Sequence, residues 1–283
     1  MRIARYRTQK IAFAFITAAA VSVVVPLVFV IWYIVIQGIE AISLEFIVGM
    51  PSNGMRAGGI LPAIVGTVWL TIGTAITSIP LGVGAGVYLA EYATDNWFTR
   101  TIRLAIINLA GVPSVVYGLF GFSLFVIFLR FGTSILAGSL TLGIMTLPVI
   151  ISTTEQALTA VPQSFRVVNA SLGGTTWQAT RKVILPQALP GIMTGVILGL
   201  ERAAGETAPI LFTVAAFFLP RLPHSLFDQT MALPYHLFVI STQVPGMPIE
   251  IQYGTALVLL VFVLTMNLLA TLIRRYYRRR RQW

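Results

Sequence analysis

Glu155-Gln-Ala-Leu-Thr-Ala-Val-Pro162-Gln-Ser-Phe165-Arg166-Val-Val168-Asn-Ala-Ser-Leu172-Gly173-Gly174-Thr-Thr-Trp177-Gln-Ala-Thr-Arg-Lys-Val183-Ile-Leu185-Pro186 is a polar interlude between two long apolar runs, at about 134–154 and 190–218. Phe165, Val168 and Leu172 recur at the spacing of one helical face, with Arg166 and Asn169 on another. Pro162 suits the opening of a helix, where its missing N–H costs nothing, and Gly173-Gly174 suits its end. A second short helix is expected from Thr175 to Leu185, stopping at Pro186. The segment 155–189 therefore reads as a helix-turn-helix set on the surface of whatever the flanking runs build.

Those runs are membrane spans. Of 283 residues, 57% are apolar and 10% charged, and the mean hydropathy is +0.86. A soluble domain carries about a quarter charged residues on its solvated surface. Six runs approach or exceed the ~20 residues that cross a hydrocarbon core, at about 11–36, 61–90, 104–129, 134–154, 190–218 and 253–273. The expected fold is an all-α, polytopic bundle of six transmembrane helices. Residues 1–60 hold a tail, the first span and a loop, 61–273 a five-helix core, and 274–283 a basic tail. The first run is too long for the apolar part of a signal peptide and is expected to remain as a span.

Basic residues orient the bundle. With the N-terminus inside, inner segments hold Arg2, Arg5, Arg7, Lys10, Arg100, Arg103, Arg166, Arg181, Lys182 and six C-terminal arginines at 274, 275 and 278–281. Outer segments hold Arg56, Arg130 and Arg221. This asymmetry predicts that both termini are cytoplasmic. The net charge of +10 is thus an orientation signal and a contact for anionic membrane lipid, and no nucleic-acid partner is expected.

Enzyme signatures are absent from the sequence. There is no cysteine, no Walker A loop and no His-Glu-x-x-His. Gly82, Gly84 and Gly86 imitate a dinucleotide loop, but Val87 stands where its third glycine belongs, so they read as helix-packing positions. His224 and His236 fall in the predicted outer loop, and Asn169-Ala-Ser171, a glycosylation pattern, falls inside. Pro26, Pro80, Pro113, Pro148 and Pro209 lie within runs and are expected to kink them. The chain itself is expected to bind no cofactor or metal.

Charges inside the fifth run draw the eye to function. Arg202 is placed near the middle of 190–218, four residues before Glu206 on the same helical face, with Glu201 about 100° away. Charges at such depth cost on the order of 3 kcal/mol and face a partner or a watery pathway. Arg202 and Glu206 either neutralise each other for packing or line a translocation pathway, where a guanidinium fork matches phosphate oxygens. Glu201 is expected to meet a partner subunit.

The polar interlude resembles the EAA loop of the membrane subunits of type I ABC importers, in which a glycine precedes a hydrophobic-x-Leu-Pro ending. Gly173, Val183, Leu185 and Pro186 match it, and Arg166 matches the residue before the Glu-Ala-Ala triplet, which is here Val167-Val168-Asn169. Four stretches narrow the resemblance to PstA-type permeases of the phosphate-specific Pst system: Ala57-Gly-Gly-Ile-Leu-Pro-Ala-Ile-Val-Gly-Thr67, Gly111-Val-Pro-Ser-Val-Val-Tyr-Gly-Leu-Phe-Gly121, Leu147-Pro-Val-Ile-Ile-Ser-Thr-Thr-Glu-Gln-Ala-Leu158 and Arg202-Ala-Ala-Gly-Glu-Thr-Ala-Pro209. The resemblance implies a phosphate permease of the inner membrane, paired with a PstC-type permease, two ATPase copies that hold the ATP, and an extracytoplasmic phosphate-binding protein. It also implies that Arg166, Leu172, Gly173, Gly174 and Pro186 belong to the helix that couples the ATPase to the membrane. A permease for another oxyanion or small solute, a self-contained channel or secondary transporter, and a structural scaffold are the rival readings.

Overall fold

In hydrocarbon a backbone has no water to bond, so the apolar runs must close their own hydrogen bonds as helices. A computed structural model describes the backbone of residues 2–279 and the side chains of residues 9–10 and 12–275. The end of the basic tail, including Arg280 and Arg281, lies outside the described residues. The helices are α1 (Arg2–Gly38), α2 (Leu44–Val48), α3 (Leu61–Glu91), α4 (Trp97–Ala110), α5 (Ser114–Gly121), α6 (Ile135–Thr159), α7 (Gln163–Ser171), α8 (Thr176–Ala179), α9 (Leu185–Gly205), α10 (Ala208–Thr213), α11 (Leu233–Thr242) and α12 (Ile249–Arg279). A two-residue hairpin, β1 (Pro51–Ser52) against β2 (Ala57–Gly58), sits between α2 and α3.

Small residues bring α3 and α6 together at the centre. A methyl group on Gly73 would meet Ser139, on Gly82 Ile150, and on Gly86 Thr154, while one on Gly143 would meet Thr77. The numbers rise together along both helices, so the pair is parallel. On its other side α6 runs antiparallel to α9, with Ala157 over Gly191, Thr153 over Gly195 and Ile150 over Gly199. Hydroxyls in this packed zone donate back to their own helix, as Thr71 does to Thr67 O, Thr141 to Ala137 O and Thr153 to Val149 O. These hydroxyls need no partner from lipid, whereas Thr74, Ser139 and Thr154 are buried in the same zone with no partner among the described residues.

The third predicted span is corrected: the 104–129 run is not one helix. Among the described residues five helical stretches are long and apolar enough to cross alone, Ala12–Ala41, Leu61–Glu91, Ile135–Thr159, Thr176–Gly205 and Ile249–Arg275. The sixth crossing is a pair, Trp97–Ala110 and Ser114–Phe128, bent by 103°. Pro113 has no N–H and pushes Val112 away from helical angles, and the Tyr117 hydroxyl donates to Leu109 O across the elbow at 2.8 Å. The stretch Phe122–Phe128 widens into π-type turns. The parallel α3–α6 pair makes this return obligatory, because a chain leaving Glu91 at one end must reach Ile135 at the other.

Two boundaries of the fifth span also move. The helix expected to stop at Pro186 does not: Thr175 opens it with a capping box to Gln178, and wide turns at Thr180–Ile184 carry it into α9. Leu185 N–H reaches back to Thr180 O, so the register has already slipped before the proline ring arrives. At the far end the helix stops at Gly205 rather than 218, since continuing it would drive the Pro209 ring into the carbonyl four residues earlier. Residues 155–159 likewise belong to α6, which shortens the polar interlude.

Beyond α10 the segment read as an outer loop contains α11, whose Leu233, Tyr235, His236, Val239 and Ile240 are buried. It packs with Phe46, Met55, Ile60, Leu142 and Ile210 into one core cluster, while Ile150, Leu158, Ile184, Ala188 and Ile192 form another further along α6. Leu233 N–H donates to Thr67 Oγ1 at 2.8 Å, and Arg56 holds Pro245 O with two nitrogens at 3.2 and 2.6 Å. Near its end helix α1 leans on α12, where Gly38 lies against Tyr253 and Gly254 and the Tyr33 ring meets that of Tyr253.

Burial pushes the His236 imidazole down to about 4. It therefore stays neutral in the fold through a pH range in which an unfolded histidine, near 6.5, takes up a proton. Stability is intact above that value and is lost as pH falls towards the folded pKa, by on the order of 3 kcal/mol across the window. In detergent, the unfolding temperature measured at pH 7.5 and 4.5 should drop less for His236→Met than for the parent chain. Equal drops would show that this imidazole does not govern acid lability.

Candidate functional site

Two groups of predicted residues keep separate places in the fold. The first lies where α9 ends. Arg202 occupies the last turn of α9, not the middle of a span, because the Pro209 break shortens the helix. A cation there faces the partial negative charge of the helix end, which favours it. Glu206 is the residue at which the chain leaves the helix, with φ −76° and ψ 135°. Its carboxylate still meets Arg202, Nε to Oε1, at 3.3 Å.

The pair is asymmetric. The Arg202 side chain is 39% exposed and that of Glu206 18%. Glu206 turns inward to a small cavity shared with Thr67, Thr71, Leu142, Ile210 and Pro234, whereas Arg202 is open to the outside of the chain. Only Nε of the guanidinium is engaged, so its four terminal N–H groups have no partner among the described residues. Tyr117, at the α5 elbow, lies within the field of that charge. Glu201 is elsewhere: it faces the Asn267 side chain of α12 in the same chain, with one carboxylate oxygen buried and unpartnered.

The second group surrounds α7. Pro162 stands at its start, and at its end Gly173 takes φ +73°, an angle reached without strain only by glycine. Gly174 serves space instead, since a methyl group there would strike the Asn169 side chain, which donates to Thr175 O. Leu172 is 82% exposed and, with exposed Val167, Val168 and Trp177, presents an apolar surface. A groove of about 330 Å³ runs beside it between Phe165, Val168, Leu172 and Val183.

Arg166 points the other way. Its fork grips Glu91 at 2.6 and 3.1 Å and also donates to Leu158 O and Val161 O, each at 2.9 Å. Pro186 lies in the first turn of α9, inside the continuous helix and three residues past Val183 of that groove. The structure thus gathers Leu172, Gly173 and Gly174 at one tip, and places Arg166 behind it and Pro186 beyond. Sequence reading missed Glu91, whose position at the end of a long apolar helix was its only signal, and Trp177.

Comparison with known proteins agrees with this architecture. Residues 78–283 match the family of binding-protein-dependent transport system inner membrane components. The chain is 35% identical over 277 residues to a probable ABC transporter permease protein, YqgI, of Bacillus subtilis, covering 93% of this chain and 94% of that one. It is 33% identical over 282 residues to the phosphate transport system permease protein PstA 1 of Mycobacterium tuberculosis, covering 97% and 90%. Among solved structures, the inward-facing MetNI methionine ABC transporter superposes with a TM-score of 0.63 at 17% identity, over 77% of this chain and 95% of that one. That likeness establishes the type I importer permease fold. With most of its length matched to one family and relatives above 30% identity along nearly all of it, the chain belongs to the binding-protein-dependent transport system inner membrane components.

Proposed function

We propose that this chain is the PstA-type membrane subunit of an ATP-driven importer of inorganic phosphate. The observation that carries the reading is the half-open Arg202 guanidinium with four free N–H groups. A charge so exposed on a membrane-embedded helix needs water or a second chain beside it, since bare lipid would cost several kcal/mol. Free terminal nitrogens match the oxygens of a tetrahedral anion in paired hydrogen bonds. Glu206, on Nε, weakens the site so that the anion can leave, and it balances the arginine while the pathway is empty. Relatives named as phosphate transport permeases, similar over 82% to 97% of the chain, support this choice of anion.

A PstC-type permease then supplies the other wall of the pathway, and an extracytoplasmic binding protein delivers phosphate. The apolar tip of α7 docks on a separate ATPase, which alone holds ATP. No acid stands in the Val167-Val168-Asn169 triplet, so this contact relies on Leu172 and its apolar neighbours rather than on a charge. ATP binding by the ATPase pair favours one of two bundle arrangements, and a difference of about 5 kcal/mol would shift the population nearly completely. The excess of Lys and Arg in the segments on the side of α7 supports a topology with both termini and α7 in the cytoplasm.

Three outcomes are expected. Arg202→Gln with Glu206→Gln removes both charges and leaves neither buried alone. The complex should assemble and hydrolyse ATP while phosphate uptake into proteoliposomes falls roughly tenfold or more; parental uptake would mean the pair only packs the bundle. Leu172→Asp should strip the ATPase from the purified permease, and Gly173→Val, strained at φ +73°, should weaken it in the same pull-down. Reporter fusions after Gly173 should read cytoplasm and one at Pro223 the outside, and an inside signal at Pro223 would break the six-crossing topology.

A further inference from the structure

Glu91 and Glu155 both sit where a carboxylate is least welcome, in the final turns of α3 and α6, beside carbonyls that carry the negative end of each helix. Each is answered by an arginine from another element. Arg103 of α4 binds Glu155 Oε1 at 2.7 Å and Leu89 O of α3 at 2.9 Å. Arg166 of α7 binds both oxygens of Glu91 and two carbonyls, Leu158 O on α6 and Val161 O just beyond it. The Glu91 side chain is 4% exposed.

Geometry separates this pair from the docking tip. Arg166 is turned inward while Leu172, two thirds of the way from Arg166 to Thr175, is open. Five N–H donors in one plane let a single side chain reach α3, the end of α6 and α7 together, which a lysine could not do. Phe165 packs α7 against the cluster of Leu158 and Ile184, while Asn169 and Gly174 hold the turn that follows it.

We propose that Arg166, with Glu91, is a mechanical joint that makes α7 one rigid body with the ends of α3 and α6. Arg166 is a positioning residue: it touches neither the ATPase nor the anion, and passes displacement of the docked tip to the parallel pair at the centre of the bundle. Arg103 and Glu155 fasten α4 to the same body. This inference rests on the reading of α7 as the ATPase-docking element.

The test uses the whole importer, reconstituted with its partner permease, ATPase and binding protein, and reads three quantities: ATPase retained, ATP hydrolysed, and phosphate taken up per ATP. Glu91→Gln with Arg166→Gln leaves no lone buried charge; ATPase retention and hydrolysis should stay at parental level while uptake per ATP falls on the order of tenfold. Arg166→Lys keeps the charge and loses the fork, and should give a smaller fall, which also covers a double variant that fails to assemble. The chain has no cysteine of its own, so a Glu91→Cys, Arg166→Cys protein can be bridged with a bifunctional thiol reagent after assembly. Bridging should restore uptake per ATP. Loss of the ATPase from the double variant would place Arg166 at the docking surface, and a parental ratio in Arg166→Lys would remove the joint; either overturns the proposal. Failure of the unmodified permease to retain any ATPase would instead overturn the docking reading on which it rests.

Discussion

Close approach of two parallel helices is the constraint from which the rest of this fold follows. α3 and α6 can touch along their length only because glycine on one faces a small hydroxyl or a branched aliphatic on the other, at Gly73, Gly82, Gly86 and Gly143. In lipid there is no hydrophobic drive to press helices together, so such packing and the hydrogen bonds it protects must hold them. Parallel neighbours cannot be joined by a short turn. The intervening chain has to travel back across the bundle, and the elbow at Gly111-Val-Pro113 is how it does so within forty-odd residues.

The same packing explains where polarity is tolerated. Thr71, Ser78, Thr141 and Thr153 in the central zone are silent because each returns its proton to its own helix, whereas Thr74, Ser139 and Thr154 are buried at the close contact with no partner among the described residues. The inter-helix and helix-end ion pairs sit where the helical ladder ends: Arg202 and Glu206 at the break before Pro209, and Glu91, Glu155, Arg103 and Arg166 at the ends of α3 and α6. Helix ends already offer unpaired carbonyls and a local field, so a guanidinium there does double service. The permease has placed its few charges where the backbone was polar in any case.

Much of the fold was legible because hydropathy in a bilayer is nearly a one-dimensional code: the runs that became α1, α3, α6 and α12 are plain. Gly173 was legible too, since a glycine pair after a helical period names a left-handed turn. The breaks were not. Pro113, Pro186 and Pro209 carry the same symbol, yet the first makes an elbow, the second disappears into π-type turns and the third ends a helix, and only the neighbouring hydrogen bonds decide which. α11 was hidden because its burial depends on Thr67, on Phe46 of α2 and on Met55 of the β1–β2 hairpin, residues distant in sequence. At the candidate site, the spacing of Arg202 and Glu206 was enough to predict their pairing; the inward turn of Arg166 was not predictable, because Glu91 lies 75 residues away.

The elbow has a further effect on the bilayer itself. Neither limb of the bent pair is long enough to span by itself: at helical rise Trp97–Ala110 reaches about 21 Å and Ser114–Phe128 about 22 Å, against a hydrocarbon thickness of ~30 Å. Val115, Leu119, Phe120, Ile127 and Phe128 on the second limb are exposed, so whatever covers them must match that reduced height. Lipid does so by drawing its two leaflets together, a second chain by presenting an equally short wall. Where the leaflets draw together, the electrical drop across the membrane falls over a shorter distance, so an anion passing there meets a steeper field than beside the full-length helices.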